Sequence, residues 1–162
     1  IGLRTFAEIH ASMSALTGVS QQQTAVTAVY QTIQRQLPSA DSIDTFVSAQ
    51  QMAITQLGIA YCNAAIDDTA IRQSWFPQVD FSASPTTTYN AANRVNFVTP
   101  LLDRLMPLAP TTSASRTDVA AELDGLINRL SQCSGNCSSD RSRTIAKAAC
   151  TAVLASAELL LQ

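Results

Sequence analysis

Four cysteines and one histidine are the residues of this 162-residue chain best suited to chemistry. Cys133 and Cys137 stand four apart around Ser134, Gly135 and Asn136. Haem attachment uses Cys-x-x-Cys-His, whereas here the spacer is one residue longer and no histidine follows. Thioredoxin-like redox chemistry needs two spacers and a strand–helix setting, and neither is present. A structural zinc site needs two more thiolates in a second clip, but Cys62 and Cys150 fall inside helical patterns. Disulfides are therefore the expected chemistry. The preferred pairing closes the Cys133–Cys137 turn and joins Cys62 to Cys150. Crossed pairings, with Cys62 and Cys150 each reaching into the loop, stay open because spacing does not fix connectivity.

The remaining polar candidates point away from catalysis. His10 borders the apolar face of a helix, and Glu8, two positions away, would project elsewhere. Asp67 and Asp68 directly follow an apolar helical stripe, where capping the next helix is the simpler role; a calcium loop needs more oxygen ligands in register. Asn136-Cys137-Ser138 matches a glycosylation sequon, hindered by a disulfide at its centre. No Gly-rich phosphate loop, nucleophile elbow or basic-aromatic stripe occurs. We expect no catalytic residue, no cofactor and no metal site.

The elements that carry these residues read as helices. Thr5-x-x-Glu8 is a capping box, followed by Phe6, Ile9, Met13 and Leu16 at helical spacing and by Gly18 as a stop. Val26, Val29, Tyr30, Ile33 and Leu37 form a second stripe ending at Pro38. A third helix, capped by Ser39, Asp41 or Ser42, carries Phe46, Ala53, Ile54, Leu57, Tyr61 and Ala64 to about residue 65. Met52 and Ile59 fall outside that stripe, so this helix is expected to touch something on a second side. Residues 66–90, with Trp75, Phe76 and Phe81, read as a helical turn and an irregular segment pinned by aromatics.

A fourth long helix spans about Tyr89 to Met106 and contains Pro100. Asp118 caps a fifth, with Val119, Leu123, Leu126, Ile127 and Leu130 on one face. The last helix, about Arg143 to Leu161, has Lys147, Thr151 and Glu158 as a narrow polar stripe. Its small residues Ala148, Ala152 and Ser156 come at every fourth position, as expected of a central helix. The fold class is all-α: one domain over 1–162, a disulfide-stapled bundle of five to six helices closed by an apolar C-terminal helix.

Composition narrows the setting. Apolar residues are 46% and charged residues only 14%, so Ser and Thr must supply much of the polar surface. A net charge of −2 offers no field for nucleic acid or an acidic membrane. An even number of cysteines suits an oxidising compartment. The first residue, Ile1, suggests a processed product or a piece of a longer precursor. The Ile145–Leu161 stretch is interrupted by Lys147 and Glu158 and is too short in its uncharged centre to span a bilayer.

Three stretches, "RTFAEIHASMSALTGV" at 4–19, "QLPSADSIDTFVSAQQMAITQLGIAYCNA" at 36–64 and "RSRTIAKAACTAVLASAELLLQ" at 141–162, resemble a helical region of long exported bacterial proteins that carry LamG β-sandwich domains. Genes for such proteins tend to accompany those for secreted or surface-bound cytochromes. The resemblance implies an address outside the cytoplasm (periplasm, cell surface or medium) and neighbouring domains or subunits. It transfers no activity, because the matching residues are packing residues and no LamG sandwich is present here.

The expected function is a non-enzymatic structural or protein-interaction domain of an extracytoplasmic assembly. Met52, Ile59, Trp75, Phe76 and Phe81 are the candidate contacts. The alternative is a carrier holding a small apolar ligand in the bundle interior, lined by Met13, Tyr30, Phe46, Tyr61 and Trp75.

Overall fold

The computed structural model describes residues 4–35, 48–106, 116–135 and 137–156. Phe46, the caps expected at 39–42, Leu37, Pro38, Asn136 and Glu158 lie outside them. The described residues are all-helical: α1 (Phe6–Thr17), α2 (Thr24–Gln34), α3 (Ser48–Asp67), α4 (Thr69–Trp75), α5 (Pro85–Thr88), α6 (Val95–Leu105), α7 (Arg116–Ser131) and α8 (Asp140–Leu154). Six of these have eleven or more residues, in keeping with a bundle of five to six principal helices.

Local chemistry fixes several ends. Thr5 and Glu8 form the reciprocal capping box of α1, and the two hydrogen bonds from Thr5 hold the Glu8 carboxyl below its ordinary value. Gly18 stops α1 at φ 74°, where its N–H donates to the Ser14 carbonyl. A side chain there would be strained by that φ and would lie 3.3 Å from Arg104 Nη2. The Asp68 carboxylate accepts from Ile71 N at 2.9 Å and starts α4.

The helix expected over Tyr89–Met106 begins later, at Val95. Asn90 is the reason: its side-chain oxygen accepts from the amides of Ala92 and Asn93, both at 3.0 Å, and this local turn outcompetes the helix. Pro100 sits inside α6.

The core gathers around α3, which packs against α1, α2, α4 and α8, and around α8, which packs against α3, α5, α6 and α7. Cys62 and Cys150 pair at the α3–α8 seam with Cα atoms 5.8 Å apart, and both are fully buried. Cys133 and Cys137 pair across the turn from α7 to α8 and are half-buried. Exposure decides which bond a reductant meets first. Mild reduction followed by alkylation is expected to modify Cys133 and Cys137 before Cys62 and Cys150. In the chain-entropy picture the clip contributes about 2 kcal/mol. Peptide mass analysis of the alkylated sites checks the order.

One expectation for α8 needs correction. Ala148 and Ala152 face solvent, so they are not the row along which neighbours approach. The close contacts use Ala146 and Ala149, both fully buried, with the half-buried Ala155 beside Gly58 of α3. Exposing alanine's single methyl costs no more than about 1 kcal/mol, so an alanine-rich helix looks apolar all round when it is not. The polar stripe is partly covered: Lys147 Nζ pairs with Asp67 Oδ1 at 2.7 Å.

Gly58 itself leaves room. A Cβ there would meet Ala155 Cβ at 3.7 Å, Met13 Cε at 3.8 Å and Thr151 Cγ2 at 3.9 Å, all ordinary contacts. Gly58→Ala is expected to stabilise the fold by about 0.5–1 kcal/mol, because alanine removes the entropic cost of a mid-helix glycine. Urea titration of the two proteins checks it.

The second half is held by aromatics and by polar ties. Phe97 of α6 is fully buried. It stacks on Phe76 at 4.5 Å and meets Tyr89 edge-on at 5.4 Å. The Tyr89 hydroxyl donates to the Ser142 carbonyl at 2.7 Å, and Ser142 Oγ donates to the Ala83 carbonyl at 2.9 Å, tying the loop after α4 to α8. Burial raises the Tyr89 phenol pKa well above its ordinary value. Arg94 joins α6 to α7 through Asp124 Oδ1 at 2.6 Å and Asn128 Oδ1 at 3.2 Å.

Candidate docking groove

Trp75 and Phe76, expected as contact residues, are core residues at 4% and 2% exposure. This corrects the sequence reading. An aromatic loop beside a bundle buries its rings in the gap between helices, since each ring removes a large apolar area from water. Arg104 covers Trp75, its guanidinium carbon 5.7 Å from the ring centroid. Phe81 is half-buried against Phe76 and Phe97.

Met52 and Ile59 behave differently. They are 63% and 44% exposed, and Val95 is the third large apolar side chain on the described surface. With Gln56 and Asn63 they occupy positions i, i+4, i+7 and i+11 of α3, which is one helical stripe. The other faces of α3 bury Ile54, Leu57, Tyr61 and Ile66.

Beside this stripe an open cavity of about 590 Å³ lies between α2 and α3. Ala25 and Val29 of α2 form one wall, and Ile59, Ala60 and Ala64 of α3 form the floor and opposite wall. Gln23, Gln56 and Asn63 bring amide groups to the groove. Gly18, Val19 and Ser20 of the α1–α2 turn complete the lining together with Asp67, Asp68 and Ile71. From Gln56 to Asp67 the groove follows α3 for about 16 Å, or three helical turns. Small residues on the floor allow a guest to come close to the backbone.

The arrangement suits docking better than acid–base chemistry. Asp67 is engaged by Lys147 and Asp68 by the α4 amide, so both carboxylates in the groove already have partners. His10 does not line the groove; it is buried in an aromatic stack with Tyr30 and Tyr61. Among the described residues no group of three or more His, Cys, Asp or Glu side chains could hold a metal ion.

The exposed stripe was readable as a second face of α3. The α2 wall was not, because Ala25 and Val29 become lining only once α2 lies against α3. No protein-family model, no curated protein and no solved structure matches the chain.

Proposed function

We propose that this chain is a non-enzymatic protein-interaction domain of an exported bacterial protein, and that it holds a partner subunit or domain of an extracytoplasmic assembly against the α2–α3 groove. One observation carries the reading: the exposed Met52–Ile59 stripe runs beside an open, alanine-floored groove. Large apolar side chains grouped at a concave surface mark interaction sites. Met52 and Ile59 are 63% and 44% exposed, so covering what remains would return roughly 1–2 and about 1 kcal/mol. The extracytoplasmic setting draws support from the two disulfides, which suit an oxidising environment. No described helix is long and apolar enough to cross a membrane.

A photo-crosslinking residue at Ile59 tests the proposal, with Val95, exposed at 59%, as the control. In the native host, position 59 is expected to give a discrete protein adduct that position 95 does not. Met52→Glu combined with a charged residue at Ile59 is expected to abolish the partner's retention and leave the helical content unchanged. Equal labelling at both positions, or a monomer that retains no partner, would sink the reading.

A carrier role for a small apolar ligand is the second reading. Its support is the groove volume of about 590 Å³, within the roughly 300–1,000 Å³ of small-molecule sites. Met13, Tyr61 and Trp75 are themselves packed in the core, so such a ligand would sit in the groove rather than in the interior. Native mass spectrometry of the same extract separates a bound small molecule from a bound protein.

A further inference from the structure

The chain's single imidazole is packed as if it were a hydrocarbon. His10 is 7% exposed on the inner side of α1. Tyr30 of α2 stacks on it at 4.0 Å with an interplanar angle of 16°, and Tyr61 of α3 lies tilted against it at 5.7 Å. Phe6, one turn earlier on α1, also stacks on Tyr30, at 5.1 Å. The three helices α1, α2 and α3 thus meet around one ring system.

His10 Nε2 is buried and has no hydrogen-bond partner. The nearby Tyr61 hydroxyl does not serve it; it donates instead to His10's own backbone carbonyl at 3.1 Å. A neutral imidazole tolerates this arrangement with its proton on Nδ1 and a bare lone pair on Nε2. Adding a proton turns Nε2 into a buried donor with no acceptor and places a charge among aromatic rings.

No neighbouring carboxylate offsets that charge. The titratable groups facing the ring are the phenols of Tyr30 and Tyr61, and burial pushes Tyr61 up to about 12, so it stays neutral. On α1 and just before it, the Glu8 carboxylate is turned to Thr5 and the Arg4 guanidinium to Ser12 Oγ. On α6, which packs against α1, Arg104 is held by the Leu16 carbonyl and Asp103 by Arg116. On α3, Asp67 is paired with Lys147, and Arg35 lies exposed at the end of α2. The stacked Tyr30 face attracts a cation, but it cannot accept from a buried Nε2–H.

We propose that His10 is a proton-operated latch: protonating its ring expels it from between Tyr30 and Tyr61 and releases α2 from α1. Val29, next to Tyr30, and Ala60, next to Tyr61, both line the groove. The ring stack thus borders the groove, whose α2 wall also rests on α3, and its consequence for docking rests on the reading above.

Burial holds the folded imidazole below its ordinary value, whereas the unfolded one titrates at about 6.5. The unfolded state therefore binds more protons in the interval between the two. Stability from the neutral ring is complete above about pH 6.5, and it is lost as the pH falls through that value toward the lower folded one.

Proton NMR on the intact chain follows the imidazole directly, because no other histidine contributes signals. The expected midpoint lies below about 6.5. Hydrogen exchange, corrected for intrinsic rates, is expected to quicken in α1 and α2 by about tenfold per pH unit of unequal proton affinity. The amides of α7 and α8 should stay protected. His10→Phe should flatten the response of α1 and α2. If that variant fails to fold, the wild-type titration and exchange still decide the matter.

A midpoint at or above the ordinary value, or acid-independent protection of α2, overturns the latch, as does a His10→Phe protein that keeps the acid response. Acid release of α2 without any Ile59 adduct at neutral pH upholds the latch and removes only its link to docking.

Discussion

Replacing both Cys62 and Cys150 with alanine is expected to lower the unfolding free energy by about 4–5 kcal/mol. The two residues are 88 positions apart, so the bond removes a large loop-closure entropy from the unfolded chain. For a domain of this size the loss amounts to a fall in Tm of roughly 10–15 °C. Alanine is the better replacement because both sites are fully buried; serine would add hydroxyls that need partners. Guanidinium titrations of the double variant, without reductant, measure the effect. A loss below about 1 kcal/mol would mean that the α3–α8 seam holds the halves together without the bond, and that the unfolded chain stays compact. The opposite result, failure to fold at 37 °C, would make this bond a requirement for the native state.

Phe97→Ala carries the second large effect, a destabilisation of about 3–5 kcal/mol. The ring is fully buried and touches Phe76 at the end of α4, Phe81 in the loop beyond it and Tyr89 at the end of α5. Those neighbours are rings in a close-packed setting and cannot collapse into the space left behind. The cost therefore contains both the lost transfer of the side chain and an unfilled cavity. Val95→Ala, two residues away on the exposed face, should change stability by no more than about 0.5 kcal/mol. Urea midpoints for the pair separate a core effect from a general weakening of α6. Equal shifts would show that Phe97 is less tightly enclosed than its contacts indicate.

How legible these features were depended on the range of the interaction. The capping box at Thr5 and Glu8 and the glycine stop at Gly18 act within four residues, and the chain spells them out. The helical stripes of α1 and α3 were equally plain, since the 3.6-residue period survives any packing partner. The start of α6 was misread because apolar residues run on through Tyr89 while Asn90 diverts the backbone locally. The solvent face of α8 was misread because alanine counts as apolar in either environment. Trp75 and Phe76 went inward because α4 and α6 leave a gap that only the assembled bundle defines. The groove needed both α2 and α3 in place, so only its exposed edge, Met52 and Ile59, could be seen along the chain. The ring stack around His10 joins three helices, and a lone histidine beside an apolar stripe gave no sign of it.

Lys147 is the chain's only lysine, against nine arginines. Its ammonium, 26% exposed at the side chain, is clasped by Asp67, which also lines the groove. Amine-directed reagents therefore have one side-chain target, and it is held in an ion pair. A fluorophore coupled there would sit at the mouth of the groove at defined stoichiometry. The acylation rate would report how often that ion pair opens. The molecule thus comes with its own single-site probe for the surface on which its function is expected to turn.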